Sequence, residues 1–161
     1  MARLERTLGD LAGLDALSVD AVVVPMFEGR LQPQGVAGNI DWRLSGRLAR
    51  LFLAGTFRGA KGESVLMTSL DRLGAERLFL YGLGPADAWM KAPHADDVAP
   101  IVKMIESASV ASLALAPPVG HDGVLNAAAV MKTWRAAWAS CALPVVQVLD
   151  TDGTLVFLGD K

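Results

Sequence analysis

The closing run V-V-Q-V-L-D-T-D-G-T-L places two carboxylates, Asp150 and Asp152, two residues apart behind an apolar stretch. At that spacing the first can attack a phosphoryl group and the second can protonate the leaving oxygen, as in an aspartate-nucleophile phosphatase. Such chemistry also needs a downstream hydroxyl, a lysine and an acidic metal site, and only L-V-F-L-G-D-K follows Thr154. The same letters describe a hairpin: β-rich apolar runs over 144–150 and 154–159, with Asp152-Gly153 as the turn between them. An edge hairpin is expected, with no metal on Asp150.

Other reactive residue types are scattered. His94 and His121 sit beside Pro or Gly with no cysteine or second histidine at metal-ligand spacing. His121-Asp122 are neighbours whose side chains do not converge on one target, and Asp122 reads as a helix cap. Asp96 and Asp97 open a helix, where capping and the helix dipole explain them. The single cysteine, Cys141, allows no internal disulfide and reads as a small buried apolar residue. No catalytic residue, metal or cofactor is assigned, and the chain reads as a non-enzyme.

Three patterns suit binding instead. In Q-G-V-A-G-N-I the residues Gly35, Val36, Gly38 and Asn39 precede a helix, where backbone N–H groups could hold an anion or simply turn the chain. Arg43, Arg47 and Arg50 follow at i, i+4 and i+7, a basic stripe that would meet nucleic-acid phosphates or stay solvated. Met131, Trp134 and Trp138 mark a helix that is apolar around most of its girth, either deeply buried or half-exposed as a partner interface. The G-x-G of Y-G-L-G lacks the third glycine of a dinucleotide site.

The elements that must position these residues alternate. The run AVVVPMF (21–27) reads as a buried strand, and D-W-R-L-S-G-R-L-A-R-L-F-L-A-G as one helix with Asp41 as N-cap and Gly55 just past its end. Strands follow at 64–69 and 76–82. A helix then begins near Asp96 with Pro100 in its first turn, followed by a short strand at 111–116 and a last helix over 124–140. With 161 residues, 52% hydrophobic and 20% charged, the chain fits one domain over 1–161 with a sizeable core. A net charge of −2 gives no whole-protein attraction to nucleic acid or anionic membrane. No run is long and apolar enough for a membrane span and the N-terminus lacks a signal-peptide core, so the cytosol is the expected location.

Asp20 to Glu28 (D-A-V-V-V-P-M-F-E), Phe57 to Glu63 (F-R-G-A-K-G-E) and Ala75 to Gly84 (A-E-R-L-F-L-Y-G-L-G) occur in the order and spacing of the leucyl (cytosol) aminopeptidase N-terminal domain. The chain resembles that family over nearly its whole length. The resemblance implies a macro-domain-like α/β/α sandwich with a mixed sheet, to which the C-terminal antiparallel hairpin would be added. It also implies that catalysis belongs to a separate metal-bearing domain with an N-T-D-A-E-G-R segment, which this sequence does not contain, so no catalytic residue carries over. Relatives are oligomeric, some bind DNA, and macro domains often hold ADP-ribose. Here, however, V-V-V-P-M-F-E-G (22–29) has apolar residues where such binders carry an N-A-A-N-like stretch after the first core strand. The leading expectation is a non-catalytic domain acting through self-association, a protein partner or regulation. The alternatives are a nucleotide or ADP-ribose module at 34–40, and a subunit completed by a separate catalytic domain.

Overall fold

The computed structural model describes residues 2–29, 32–91, 95–118 and 127–150. The apolar run at 21–27 forms most of strand β2, Val19–Met26, which is buried along both faces because helices cover it on each side. Two parallel strands flank it, β4 (Ala75–Gly82) and β5 (Leu113–Leu115). Strand β6 (Val145–Asp150) joins β5 in parallel, β1 (Arg3–Leu8) joins β6 in parallel, and β3 (Ser64–Thr68) closes the far side antiparallel to β4. The mixed six-stranded order is β1-β6-β5-β2-β4-β3.

Helices α1 (Leu11–Ala16), α2 (Gly35–Arg43) and α3 (Arg47–Leu53) cover one face, where Leu14, Ile40, Leu48 and Phe52 meet Val22, Val24, Leu78 and Leu80. The opposite face packs Val23, Phe79 and Val146 against α5 (Ala95–Ser107), α6 (Ala127–Trp138) and Trp89 of α4 (Ala86–Lys91). These are the three layers expected of an α/β/α sandwich.

Several boundaries differ from the sequence reading. The single helix over 41–54 is two: Ser45 and Gly46 are left-handed, at φ 56° and 78°, and break it. Asp41 does cap a helix, but it is α3, seven residues on, through bonds from the Leu48 and Ala49 N–H at 2.7 and 3.3 Å. Gly55 ends α3 as expected, with the Thr56 N–H returning to the Leu51 carbonyl. Helix α5 begins at Ala95, so Pro100 lies in its second turn, where its missing N–H is offset by the buried Val98, Ile101, Val102 and Ile105.

The 154–159 arm of the expected hairpin and its turn lie outside the described residues. Its first arm, β6, is not at an edge, because β1 and β5 flank it on both sides. Strand β1 and helices α1 and α4 were not anticipated.

Met131, Trp134 and Trp138 do not form an exposed partner surface: they are 5%, 0% and 0% exposed. They recur at i, i+3 and i+7 on the inward side of α6, while Lys132, Arg135 and Ala136 face solvent. The charged residues thus mark the outer face of an ordinary amphipathic helix.

Candidate functional site

In an open sheet of parallel strands, ligands gather beyond the carboxyl ends where the winding reverses. Here that reversal falls at β2 and β5: the chain leaves β2 for α2 on one face and leaves β5 for α6 on the other. At the end of β2 this crevice is apolar. Val24, Met26 and Phe27 are 1%, 3% and 1% exposed. The backbone there is already engaged, with the Leu83 N–H bonded to the Met26 carbonyl and the Glu28 N–H to the Gly84 carbonyl.

The start of α2 forms one wall. Its first intrahelical bond runs from the Gly38 N–H to the Gln34 carbonyl, leaving the amides of residues 35–37 without an acceptor inside the helix. The structure brings Gly35, Val36, Gly38 and Asn39 together, but two of them serve the fold. Asn39 Nδ2 donates to the Gly9 carbonyl at 3.0 Å. Val36 packs against Gly9 so tightly that a Cβ there would lie 2.8 Å from Val36 Cγ2. These contacts seat α2 on the turn between β1 and α1.

The three arginines do not share a helix. Arg43 ends α2 and pairs with Asp15 at 2.6 Å, Arg47 Nη1 donates to the Thr68 carbonyl at 3.0 Å, and Arg50 Nη1 donates to the Ser45 carbonyl at 2.8 Å. Each is tied to a neighbouring turn or helix, so the continuous stripe is replaced by three separate anchors. Over the α2–α3 turn lies an open depression of about 450 Å³, lined by Gly38, Asp41, Trp42, Ser45 and Gly46. Among the described lining residues the one carboxylate, Asp41, already caps α3.

The motif residues are likewise occupied. Glu63 accepts from the Arg58 and Gly59 N–H groups at 2.6 and 3.0 Å, closing the F-R-G-A-K-G-E loop on itself. That loop presses on the end of β4 so closely that a Cβ on Gly82 would sit 1.9 Å from the Ala60 carbonyl oxygen. The G-x-G of Y-G-L-G is therefore a close backbone crossing.

Cys141 is buried, and burial pushes its thiol up, away from nucleophilic use. Asp97 does more than open α5: it bonds Lys61 Nζ at 3.0 Å and holds that ammonium's pKa above its usual value. Asp150 is 2% exposed and accepts from Arg6 Nε at 2.7 Å. His94, His121 and Asp122 lie outside the described residues.

One cluster escaped the sequence reading. Asp20 pairs with Arg77, which also donates to the Ala108 carbonyl at 2.8 Å, while the Ala111 N–H donates to Asp20. This ties the end of α5 and the entry to β5 onto β2 and β4. Both residues belong to the motifs quoted above, on neighbouring strands with Ala21 opposite Arg77, so the pair is offset by one position and strand alternation alone does not signal it. The Arg77 hydrogen bond, then the Ala111 amide, hold the Asp20 carboxyl below its ordinary value. Its stabilisation is therefore complete above the unfolded value of about 3.9 and is lost as pH falls through the depressed folded value. Asp20→Asn is expected to cost about 2 kcal/mol in urea denaturation near neutral pH. The gap to the parent should narrow as pH falls through that depressed value.

A family model for the cytosol aminopeptidase family, N-terminal domain, matches residues 23–144. The chain belongs to this family. A probable cytosol aminopeptidase of Cupriavidus necator is 33% identical over 100 residues, covering 62% of this chain and 19% of that protein. The chain thus spans about a fifth of the length of the curated relatives it matches. Among solved structures, a tomato leucine aminopeptidase mutant superposes with a TM-score of 0.62 at 14% identity, over 92% of this chain and 33% of that one. An Oceanobacillus iheyensis macrodomain mutant with ADPR gives 0.66 at 16% identity, over 96% and 89%. At such identities the likeness concerns fold: the aminopeptidase N-terminal domain has macrodomain architecture.

Proposed function

We propose that this aminopeptidase N-terminal domain acts by protein association, with itself or with a partner, and carries no peptide-bond chemistry of its own. One observation supports this most: four carboxylates, in the motifs, at the start of α5 and at the end of β6, are engaged in structural contacts. Asp20 holds Arg77, Glu63 caps two amides, Asp97 holds Lys61 and Asp150 holds Arg6. A two-metal peptidase needs such groups converging a few ångströms apart on its ions. Among the described residues no three His, Cys, Asp or Glu side chains converge in that way.

A second reading, a nucleotide or ADP-ribose module, is supported by the macrodomain architecture and by the amides at the start of α2. A third, a subunit completed by a separate catalytic domain, shares the association chemistry of the first. Leucyl substrates with added Mn²⁺ or Zn²⁺ should give no turnover with the pure chain, and metal-dependent turnover would overturn the proposal. ADP-ribose at millimolar concentration should leave the melting temperature unchanged. A saturable rise, worth about 2.7 kcal/mol at a hundredfold excess over Kd, would establish the second reading instead. DNA retention abolished by replacing Arg43, Arg47 and Arg50 with alanine, at unchanged melting temperature, would assign the arginines a nucleic-acid role.

A further inference from the structure

We infer that the open depression over the α2–α3 turn is a binding site for a free α-amino acid with an apolar side chain. The inference goes beyond the association reading and does not depend on it.

The site follows from how α2 ends. Ser45 and Gly46, with left-handed φ values of 56° and 78°, turn the chain out of α2 and into α3. The depression over this turn, about 450 Å³, lies within the size range of small-molecule sites. Gly38 and Trp42 are one turn apart on α2 and so share a face, and the missing side chain of Gly38 leaves the space beside the indole open. Trp42 is 74% exposed, whereas Trp89, Trp134 and Trp138 are 2%, 0% and 0% exposed. Its indole thus presents an apolar ring face at the depression for a ligand to cover.

Opposite charges stand beside it. Asp41 caps α3 through Oδ1 alone, taking the Leu48 and Ala49 N–H, and its Oδ2 has no hydrogen bond among the described residues. Arg50 Nη1 donates to the Ser45 carbonyl and lies 3.5 Å from where a Cβ on Gly46 would stand, and both Ser45 and Gly46 line the depression. The other N–H groups of Arg50 have no acceptor among the described residues. A purely anionic ligand would meet Asp41, and a purely cationic one Arg50. A zwitterion meets both with the favourable sign: its ammonium donates to Asp41 Oδ2 and its carboxylate accepts from Arg50. The Ser45 hydroxyl serves either end, and an apolar side chain covers the indole of Trp42.

The test is an NMR titration of the full 161-residue chain with L-leucine, following the Trp42 indole N–H and the Ser45 and Gly46 amides. Saturable shifts at these groups are expected with a Kd of about 1 mM, because the site is open and its contacts are few. N-acetyl-leucinamide, which has the same side chain and neither charge, should give none. Asp41→Asn keeps a capping oxygen but loses the charge, so leucine binding should weaken by about tenfold at an unchanged melting temperature. Trp42→Ala, read at the Gly46 amide, should weaken it by about fivefold. Equal binding of N-acetyl-leucinamide would overturn the inference, as would leucine shifts of full strength in both variants. So would the absence of any saturable shift with leucine or phenylalanine up to about 50 mM. The association reading stands or falls separately, on the mass of the chain.

Discussion

Trp134→Ala is expected to destabilise the fold by about 4 kcal/mol, lowering the melting temperature by roughly 8–16 °C. Trp134 has no exposed surface and stacks at a tilt on Trp89, with ring centroids 6.5 Å apart, while Trp89 in turn meets Phe27 edge-on at 6.2 Å. Truncation removes a large buried apolar side chain of α6 from the core and leaves a cavity that its surroundings fill only in part. Trp134→Phe should cost much less, because the indole N–H has no hydrogen-bond partner among the described residues and the apolar area is largely kept. Lys132→Ala, on the solvent face of the same helix, should stay within about 0.5 kcal/mol of the parent. Chemical denaturation distinguishes these outcomes. An unchanged melting temperature with lost self-association in Trp134→Ala would restore the tryptophan to an interface role.

Gly82→Ala is expected to cost about 3 kcal/mol, at the upper end of ordinary overpacking. The new methyl would stand 1.9 Å from the Ala60 carbonyl oxygen and 2.6 Å from the Gly59 carbonyl carbon, and both obstacles are backbone. No rotamer change relieves the clash. The loop of Phe57 to Glu63 must lift from β4, losing the bonds from the Gly82 N–H to the Glu63 carbonyl and from the Gly84 N–H to the Gly59 carbonyl. Gly62→Ala is the control: its Cβ would meet nothing within 4 Å, so only the left-handed φ of 82° opposes it, at about 1 kcal/mol. Equal losses in the two variants, measured by thermal melting, would show that conformation rather than the crossing limits this loop.

The central part of the fold was legible because β2 is unusual. A parallel strand covered on both faces needs apolar residues without alternation, and A-V-V-V-P-M-F supplies them. The family motifs were equally legible, and the structure gives their cause: glycines at a backbone crossing, a glutamate closing its own loop, and the Asp20–Arg77 pair.

Strand β1 was hidden for the opposite reason. R-L-E-R-T-L has no apolar face, and its pairing with β6, Arg3 opposite Val145, spans almost the whole chain. The same distance concealed that β6 is interior. The helix break at Ser45-Gly46 did carry a local signal, a turn-forming dipeptide, which the leucine period on either side outweighed. The tryptophans of α6 could have been placed inward from Lys132 and Arg135, whose charges point the opposite way.

For the D-T-D-G-T-L segment, Asp150 is now seen as a buried ion-pair partner of Arg6 rather than a nucleophile facing a substrate. In the binding motifs, too, several side chains hold the domain together: Asn39 bonds the Gly9 carbonyl, Arg43 pairs with Asp15 and Arg47 bonds the Thr68 carbonyl.

The most direct measurement of whether this domain works by association is its mass by light scattering across a concentration series, at low and moderate salt. A mass that climbs from 17.0 kDa toward twice that value, with no turnover of leucyl substrates in the same samples, is the expected result. A constant 17.0 kDa at every concentration, accompanied by saturable binding of ADP-ribose, would contradict it and make the domain a ligand-binding module.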